Sequence, residues 1–210
     1  MTRRVALNGG LTKVSNAYFR ATDPREYLTN APRFADYAGG DLRLQPNSPC
    51  IDAGHNALAP GSADLDGNPR IARLRVDIGA YEYQGPGLSP YVEWLQQHGL
   101  PVDGSGDFMD PDHDQANTYQ EWVADTDPTN GWSVLRVEQT APGTVRFVSS
   151  PHRLYTLTYA NGYDESGWWP FWAAVPGQTD IPGTGGSQTL TDPSGSTMRF
   201  YRVTVRRPQP

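Results

Sequence analysis

Apolar and polar positions alternate along this chain in short runs, and almost nowhere at helical spacing. Val134, Arg136 and Glu138 alternate, as do Val145, Arg146 and Phe147, and Phe200, Arg202 and Thr204 oppose Tyr201, Val203 and Val205. That period of two puts successive side chains on opposite faces of a half-buried sheet. It predicts strands over 133–138, 144–148, 154–159, 171–175, 188–191 and 198–205, separated by turns such as Asn161-Gly162 and Pro182-Gly183. Six short strands at this spacing predict an antiparallel β-sandwich over 131–210. Shorter strands are expected at 5–7, 42–44 and 76–83. Helical signals are confined to the middle of the chain. Ser89 can cap a helix with Pro90 in its first turn, Tyr91 and Leu95 share a face, and Gly99 then Pro101 stop it. A second short helix is expected over 119–123.

Composition agrees with a turn-rich, mostly-β chain. The 210 residues include 22 glycines and 19 prolines, with 37% hydrophobic content. No apolar run reaches membrane-spanning length, and the N-terminal residues lack the apolar core of a signal peptide, so if the protein is secreted its signal is expected to lie outside this chain. The single cysteine, Cys50, excludes an internal disulfide and reads as a small buried apolar side chain. Three segments follow from these signals: 1–85, a junction over 86–130, and 131–210.

Charge sharpens the middle segment. The chain carries a formal −6, and residues 101–130 hold eight carboxylates with no lysine or arginine. Outside them, 15 acidic residues stand against 17 basic ones, so the rest is nearly neutral and no basic nucleic-acid footprint exists. Carboxylates packed this densely need either full solvation or a cation. Their spacing favours the cation. Counting Asp110 as 1, Asp112, Asp114 and Glu121 fall at 3, 5 and 12, the ligand spacing of a helix–loop–helix calcium loop. Ala116 at 7 can offer its backbone carbonyl, and Thr118 at 9 can bind directly or through water. Position 6, normally glycine, is Gln115, and a left-handed backbone there costs a side-chain-bearing residue about 1–2 kcal/mol. The expected affinity is therefore weak, roughly 0.1–1 mM, as in extracellular modules. His113 is expected to point outward.

From Gly99 to Asp114, and from Asn117 through Glu121 to Asn130, the chain resembles thrombospondin type 3-like and dockerin-like calcium repeats of large secreted bacterial proteins. The resemblance implies Ca2+ as the cofactor, Asp110, Asp112, Asp114 and Glu121 as ligands, and Asp103 and Asp107 as contributors to the same or a neighbouring ion. In the first segment, Asp41-Leu-Arg-Leu-Gln-Pro-Asn-Ser-Pro-Cys-Ile-Asp-Ala-Gly54, Ala63-Asp-Leu-Asp-Gly-Asn-Pro-Arg70 and Val76-Asp-Ile-Gly-Ala-Tyr-Glu82 are similar to the end of right-handed parallel β-helix proteins of the choice-of-anchor Q type. That implies a β-helix cap, a bacterial extracellular or cell-surface setting, and self-association through the open solenoid end. Two readings of Asp64-Leu-Asp66-Gly-Asn68 stand side by side: a second calcium pair, or a tight turn in which aspartate bonds its own backbone. Asp52, Asp77 and Glu82 either satisfy turns or pair with Arg70, Arg73 or Arg75.

In the third segment, Leu154-Tyr-Thr-Leu-Thr-Tyr159, Val175-Pro-Gly-Gln-Thr-Asp-Ile-Pro-Gly-Thr-Gly-Gly186 and Arg199-Phe-Tyr-Arg-Val203 resemble C-terminal β-sandwich modules of secreted bacterial proteins. The unusual feature of this segment is Trp168, Trp169 and Trp172, which form either a hydrophobic plug or a glycan-stacking platform. No nucleophile elbow, zinc signature or phosphate loop is present. The expected function is a non-catalytic, calcium-stabilised structural or adhesive protein. The alternative is a carbohydrate-binding accessory region of a polysaccharide-active enzyme.

Overall fold

The computed structural model describes residues 32–161, 172–194 and 199–208. Among them are two α-helices and nine strands, and every strand pairing is antiparallel. The chain divides into two compact units, whose described residues are 32–122 with 127–131, and 123–126 with 132–161, 172–194 and 199–208.

The first unit has little regular structure. Strands β1 (Phe34–Asp36) and β2 (Asp41–Leu44) form a hairpin, with Phe34 opposite Leu44. Its small apolar core is Leu44, Cys50 and Ile51, with Phe34, Ile78 and Tyr83 packed on it. Cys50 is buried as the sequence suggested. The strand expected over 76–83 is absent: this stretch is irregular. Carboxylates take the place of a partner strand there. Asp77 accepts the N–H groups of Asp52 (2.7 Å) and Tyr83 (2.6 Å), while Glu82 accepts that of Asp77 (3.1 Å). Arg70 pairs with Glu82, and Arg73 with Asp52 at 2.9 Å. A buried backbone must place its hydrogen bonds somewhere, and here side chains share them with isolated main-chain bonds such as Gly54 N–H to the Val76 carbonyl (2.8 Å) and Ile78 N–H to the Cys50 carbonyl (2.9 Å). No parallel ladder of the kind a β-helix stacks occurs among the described residues. Of residues 1–40, the stretch available for β-helix rungs on the sequence reading, 1–31 lie outside the described residues.

Helix α1 (Pro90–Gln97) begins where expected: the Ser89 hydroxyl oxygen accepts the Val92 N–H, and Val92 and Leu95 are fully buried. Gly99 ends it with φ of 67°, a left-handed turn that glycine makes without steric cost. Tyr91 and Trp94 each lie 5.5 Å, ring to ring, from Trp122 of α2 (Thr118–Ala124), and Tyr119 meets Tyr91 edge-on.

The second unit holds β3 (Glu138–Ala141), β4 (Thr144–Val148), β5 (Leu154–Ala160), β6 (Ala173–Ala174), β7 (Ile181–Pro182), β8 (Ser187–Thr191) and β9 (Phe200–Arg206). One sheet runs β3-β4-β8. In the other, β5 pairs with β9 along one edge and with the short β6 and β7 along the other. Alternation sets the buried face. Val145, Phe147 and Leu190 from the first sheet join Tyr155, Leu157, Tyr201 and Val203 from the second in one apolar cluster. Two sequence expectations shift. Residues 133–137 carry no strand, although Leu135 and Val137 are buried in this core, and of the strand expected over 171–175, only Ala173–Ala174 pairs as a strand among the described residues 172–175.

Candidate metal centre

The acidic loop is shaped by backbone amides captured by its own carboxylates. Asp114 N–H donates to Asp110 Oδ1 at 3.2 Å and to Asp112 Oδ1 at 3.3 Å. Gln115 N–H donates to Asp110 Oδ2 at 3.0 Å, and Ala116 N–H to Asp114 Oδ1 at 2.7 Å. These bonds curl the chain so that the three alternate aspartates converge. Each offers one carboxylate oxygen, and these oxygens lie within 4.8 Å of one another. Two residues adopt left-handed backbone to achieve this, His113 (φ 63°) and Gln115 (φ 82°). The strain anticipated at Gln115 is therefore present, and His113 is exposed.

Three carboxylates converge at this centre. At this separation each pair of carboxylates repels by about 3 kcal/mol at an effective dielectric near 20, less where water reaches them. Asp112 Oδ2 is shut off from solvent and accepts no hydrogen bond. Desolvating a carboxylate oxygen without a partner is costly, and a cation among the three carboxylates removes that cost. The chemistry of the donor set, all hard oxygen, suits calcium or magnesium rather than a soft metal.

The helix that follows is started by a motif not singled out in the sequence. Asn117 and Gln120 exchange hydrogen bonds: Asn117 N–H to Gln120 Oε1 at 2.8 Å, and Gln120 N–H to Asn117 Oδ1 at 2.9 Å. This is a capping box, legible as Asn-x-x-Gln before the apolar helix face. It places Glu121 in the first turn of the helix, fully buried. Glu121 stands outside the 4.8 Å group formed by Asp110, Asp112 and Asp114. Ala116 and Thr118 are also buried, and the Thr118 N–H (2.8 Å) and hydroxyl (3.2 Å) both donate to the Met109 carbonyl.

The other acidic residues take different partners. Asp107 is only 3% exposed and is gripped at two points by Arg75, Nη2 to Oδ2 at 2.5 Å and Nη1 to Oδ1 at 3.1 Å. The Tyr91 hydroxyl donates to Oδ1 at 3.0 Å as well. Those three bonds hold the Asp107 carboxylate against Arg75 and Tyr91, and it stands outside the group formed by Asp110, Asp112 and Asp114. Asp103 accepts the Ser105 hydroxyl at 2.6 Å and N–H at 3.0 Å, which holds its carboxyl below the usual range. At 64–68 the turn reading prevails: Asp64 accepts the N–H groups of Asp66, Asn68 and Glu82 and the Asn68 amide, while Asp66 pairs with Arg43 at 2.6 Å.

Of the aromatic platform, Trp168 and Trp169 lie outside the described residues. Trp172 is half-buried, and the Arg202 guanidinium sits over its ring at 4.5 Å. No helix among the described residues is long and apolar enough to cross a membrane. No protein-family model, no curated protein and no solved structure matches this chain.

Proposed function

We propose that the 110–121 loop binds calcium, and that the protein is a non-catalytic, calcium-stabilised structural or adhesive component of an extracellular bacterial assembly. The observation that carries the metal reading is Asp112 Oδ2, buried without a hydrogen bond in the middle of three converging carboxylates. Asp110, Asp112 and Asp114 would hold the ion, and Glu121, at the spacing of the closing ligand, would complete the sphere. An ion there cancels repulsion that otherwise loosens the loop. The extracellular and adhesive parts rest on the motif resemblances, and on a β-rich second unit whose two sheets share one apolar core in the manner of a sandwich. Among the described residues the sugar-binding alternative gains nothing from Trp172, because Arg202 occupies a face of its ring.

Calorimetric titration of calcium into the wild-type chain and Asp112→Asn tests the metal reading. Saturable heat is expected for the wild type and a large loss of affinity for the variant. At 100 times the dissociation constant calcium would stabilise the protein by about 2.7 kcal/mol. Absence of both heat and thermal shift at millimolar calcium would remove the metal reading and leave a β-rich protein whose acidic loop is merely solvated.

A further inference from the structure

The acidic loop holds two side-chain-bearing residues in left-handed backbone, His113 and Gln115, and it lacks the glycine that loops of this spacing carry at position 6. Such conformations are costly and persist only where the surrounding structure over-determines them. The amides of residues 114–116, captured by the loop carboxylates, restrain it from inside. A second restraint comes from outside the loop, from residues 127–131, which belong to the same compact unit.

Those residues form a turn that is fixed in its own right. Asp127 Oδ1 accepts the Thr129 N–H at 3.0 Å and the Thr129 hydroxyl at 2.7 Å, the Asp127 carbonyl accepts the Asn130 N–H at 3.1 Å, and Pro128 is fully buried. The turn delivers Gly131 against the loop backbone. A Cβ built on Gly131 would lie 3.1 Å from the Asp112 carbonyl oxygen, 3.9 Å from the Asp112 carbonyl carbon and 3.7 Å from Asp114 Cβ. Gly131 does not itself adopt left-handed backbone, so glycine supplies room there, not conformational freedom. The Asp112 carbonyl shares a planar peptide unit with the His113 nitrogen. Holding that carbonyl therefore restrains rotation about the His113 N–Cα bond, whose φ is 63°. The two residues that Gly131 meets, Asp112 and Asp114, carry two of the three converging carboxylates.

We propose that the Asp127–Gly131 turn clamps the metal loop, with Gly131 as its positioning residue: the glycine seats on the Asp112–His113 peptide and holds the left-handed geometry that brings Asp110, Asp112 and Asp114 together. The loop does without a glycine of its own because a close-packed surface outside it selects the conformation. The consequence for calcium rests on the metal reading above; the clamp on the backbone does not.

Gly131→Ala adds one methyl at the seat. In calcium-free buffer, hydrogen exchange should show the Asp114, Gln115 and Ala116 amides exchanging several-fold faster than in the wild type, with the β4 and β5 amides unchanged. Adding His113→Gly should cancel much of that change, because glycine accepts a displaced peptide without strain. A glycine that serves only general stability gives additive effects in the double variant. Thr129→Val removes the hydroxyl bond to Asp127 at an exposed position and should speed the same amides to a smaller degree. Unchanged exchange in Gly131→Ala, or additive effects with His113→Gly, overturns the clamp. If Gly131→Ala does not fold, Thr129→Val decides, and unchanged exchange there overturns it. In calorimetry Gly131→Ala should bind calcium several-fold more weakly than the wild type, and the double variant should recover. Equal affinity overturns the hold of the turn on the ligands. If the wild type takes up no calcium, the metal reading fails and exchange alone decides the clamp.

Discussion

Removing the Asp107 carboxylate separates its structural role from the ligand role that the sequence suggests. Arg75 is 2% exposed and Asp107 3%, and they are joined by two hydrogen bonds across 32 residues of chain. In Asp107→Ala the guanidinium stays buried and loses both bonds, and the Tyr91 hydroxyl loses its acceptor. Breaking a buried pair by deleting one partner costs about 3–5 kcal/mol. Arg75 keeps the Gly54 carbonyl at 2.6 Å, the Ala53 carbonyl at 3.4 Å, and the face of the Tyr91 ring at 5.6 Å. These residual contacts bring the expected loss to the lower end, about 3 kcal/mol. Urea unfolding followed by tryptophan fluorescence reads it directly, because Trp94 and Trp122 lie in the ring cluster around Tyr91. The double variant Arg75→Met with Asp107→Leu removes both charges and should regain most of that stability. Calcium binding by the fraction of Asp107→Ala that remains folded should match the wild type. A loss below about 1 kcal/mol, or a double variant no more stable than the single one, would refute the argument that this pair carries buried charge. A calcium affinity that collapses with Asp107 alone would return it to the list of ligands.

Two further substitutions probe strain and charge. Gln115→Gly relieves a left-handed backbone at φ 82°, and after the extra entropy of glycine in the unfolded chain the net gain should be about 1 kcal/mol or less, read as a higher melting temperature; a lower one would mean the Gln115 side chain does more than tolerate its position. Asp192 is the acid-sensitive point of the second unit. Burial pushes its carboxyl up, but the Ser194 N–H and hydroxyl, Arg199 and the Tyr201 hydroxyl outweigh this and hold it at about 2. Because the folded value lies below the unfolded one, the stability it contributes, about 2 kcal/mol, is complete above the unfolded value near 4 and is lost as pH falls from there through 2. Asp192→Asn should flatten that acid limb in pH-dependent melts, and an unchanged limb would assign acid sensitivity to another carboxylate.

The features legible in the sequence are those whose partners lie within a few residues. Asp110, Asp112 and Asp114 converge because side chains two apart on a curling loop face inward, and their captured amides belong to residues 114–116. Ser89 caps a helix three residues away, and the alternation in 144–148 and 200–205 selects the buried face of its own strand. The Asn117–Gln120 box was equally local, and its Asn-x-x-Gln spacing is signal enough to find it. Tertiary structure decided the rest, because an ionised group is committed by whichever opposite charge or amide the fold brings near, however distant in sequence. Asp107 sits among the loop acids by sequence yet belongs to Arg75; Asp66 looks like a ligand yet belongs to Arg43; and residues 76–83, apolar enough for a strand, stay irregular because Asp77 and Glu82 capture the amides a ladder would have used. Local spacing can bring carboxylates together, but only three-dimensional proximity determines which of them meets a guanidinium and which, like Asp112 Oδ2, is left buried without a partner.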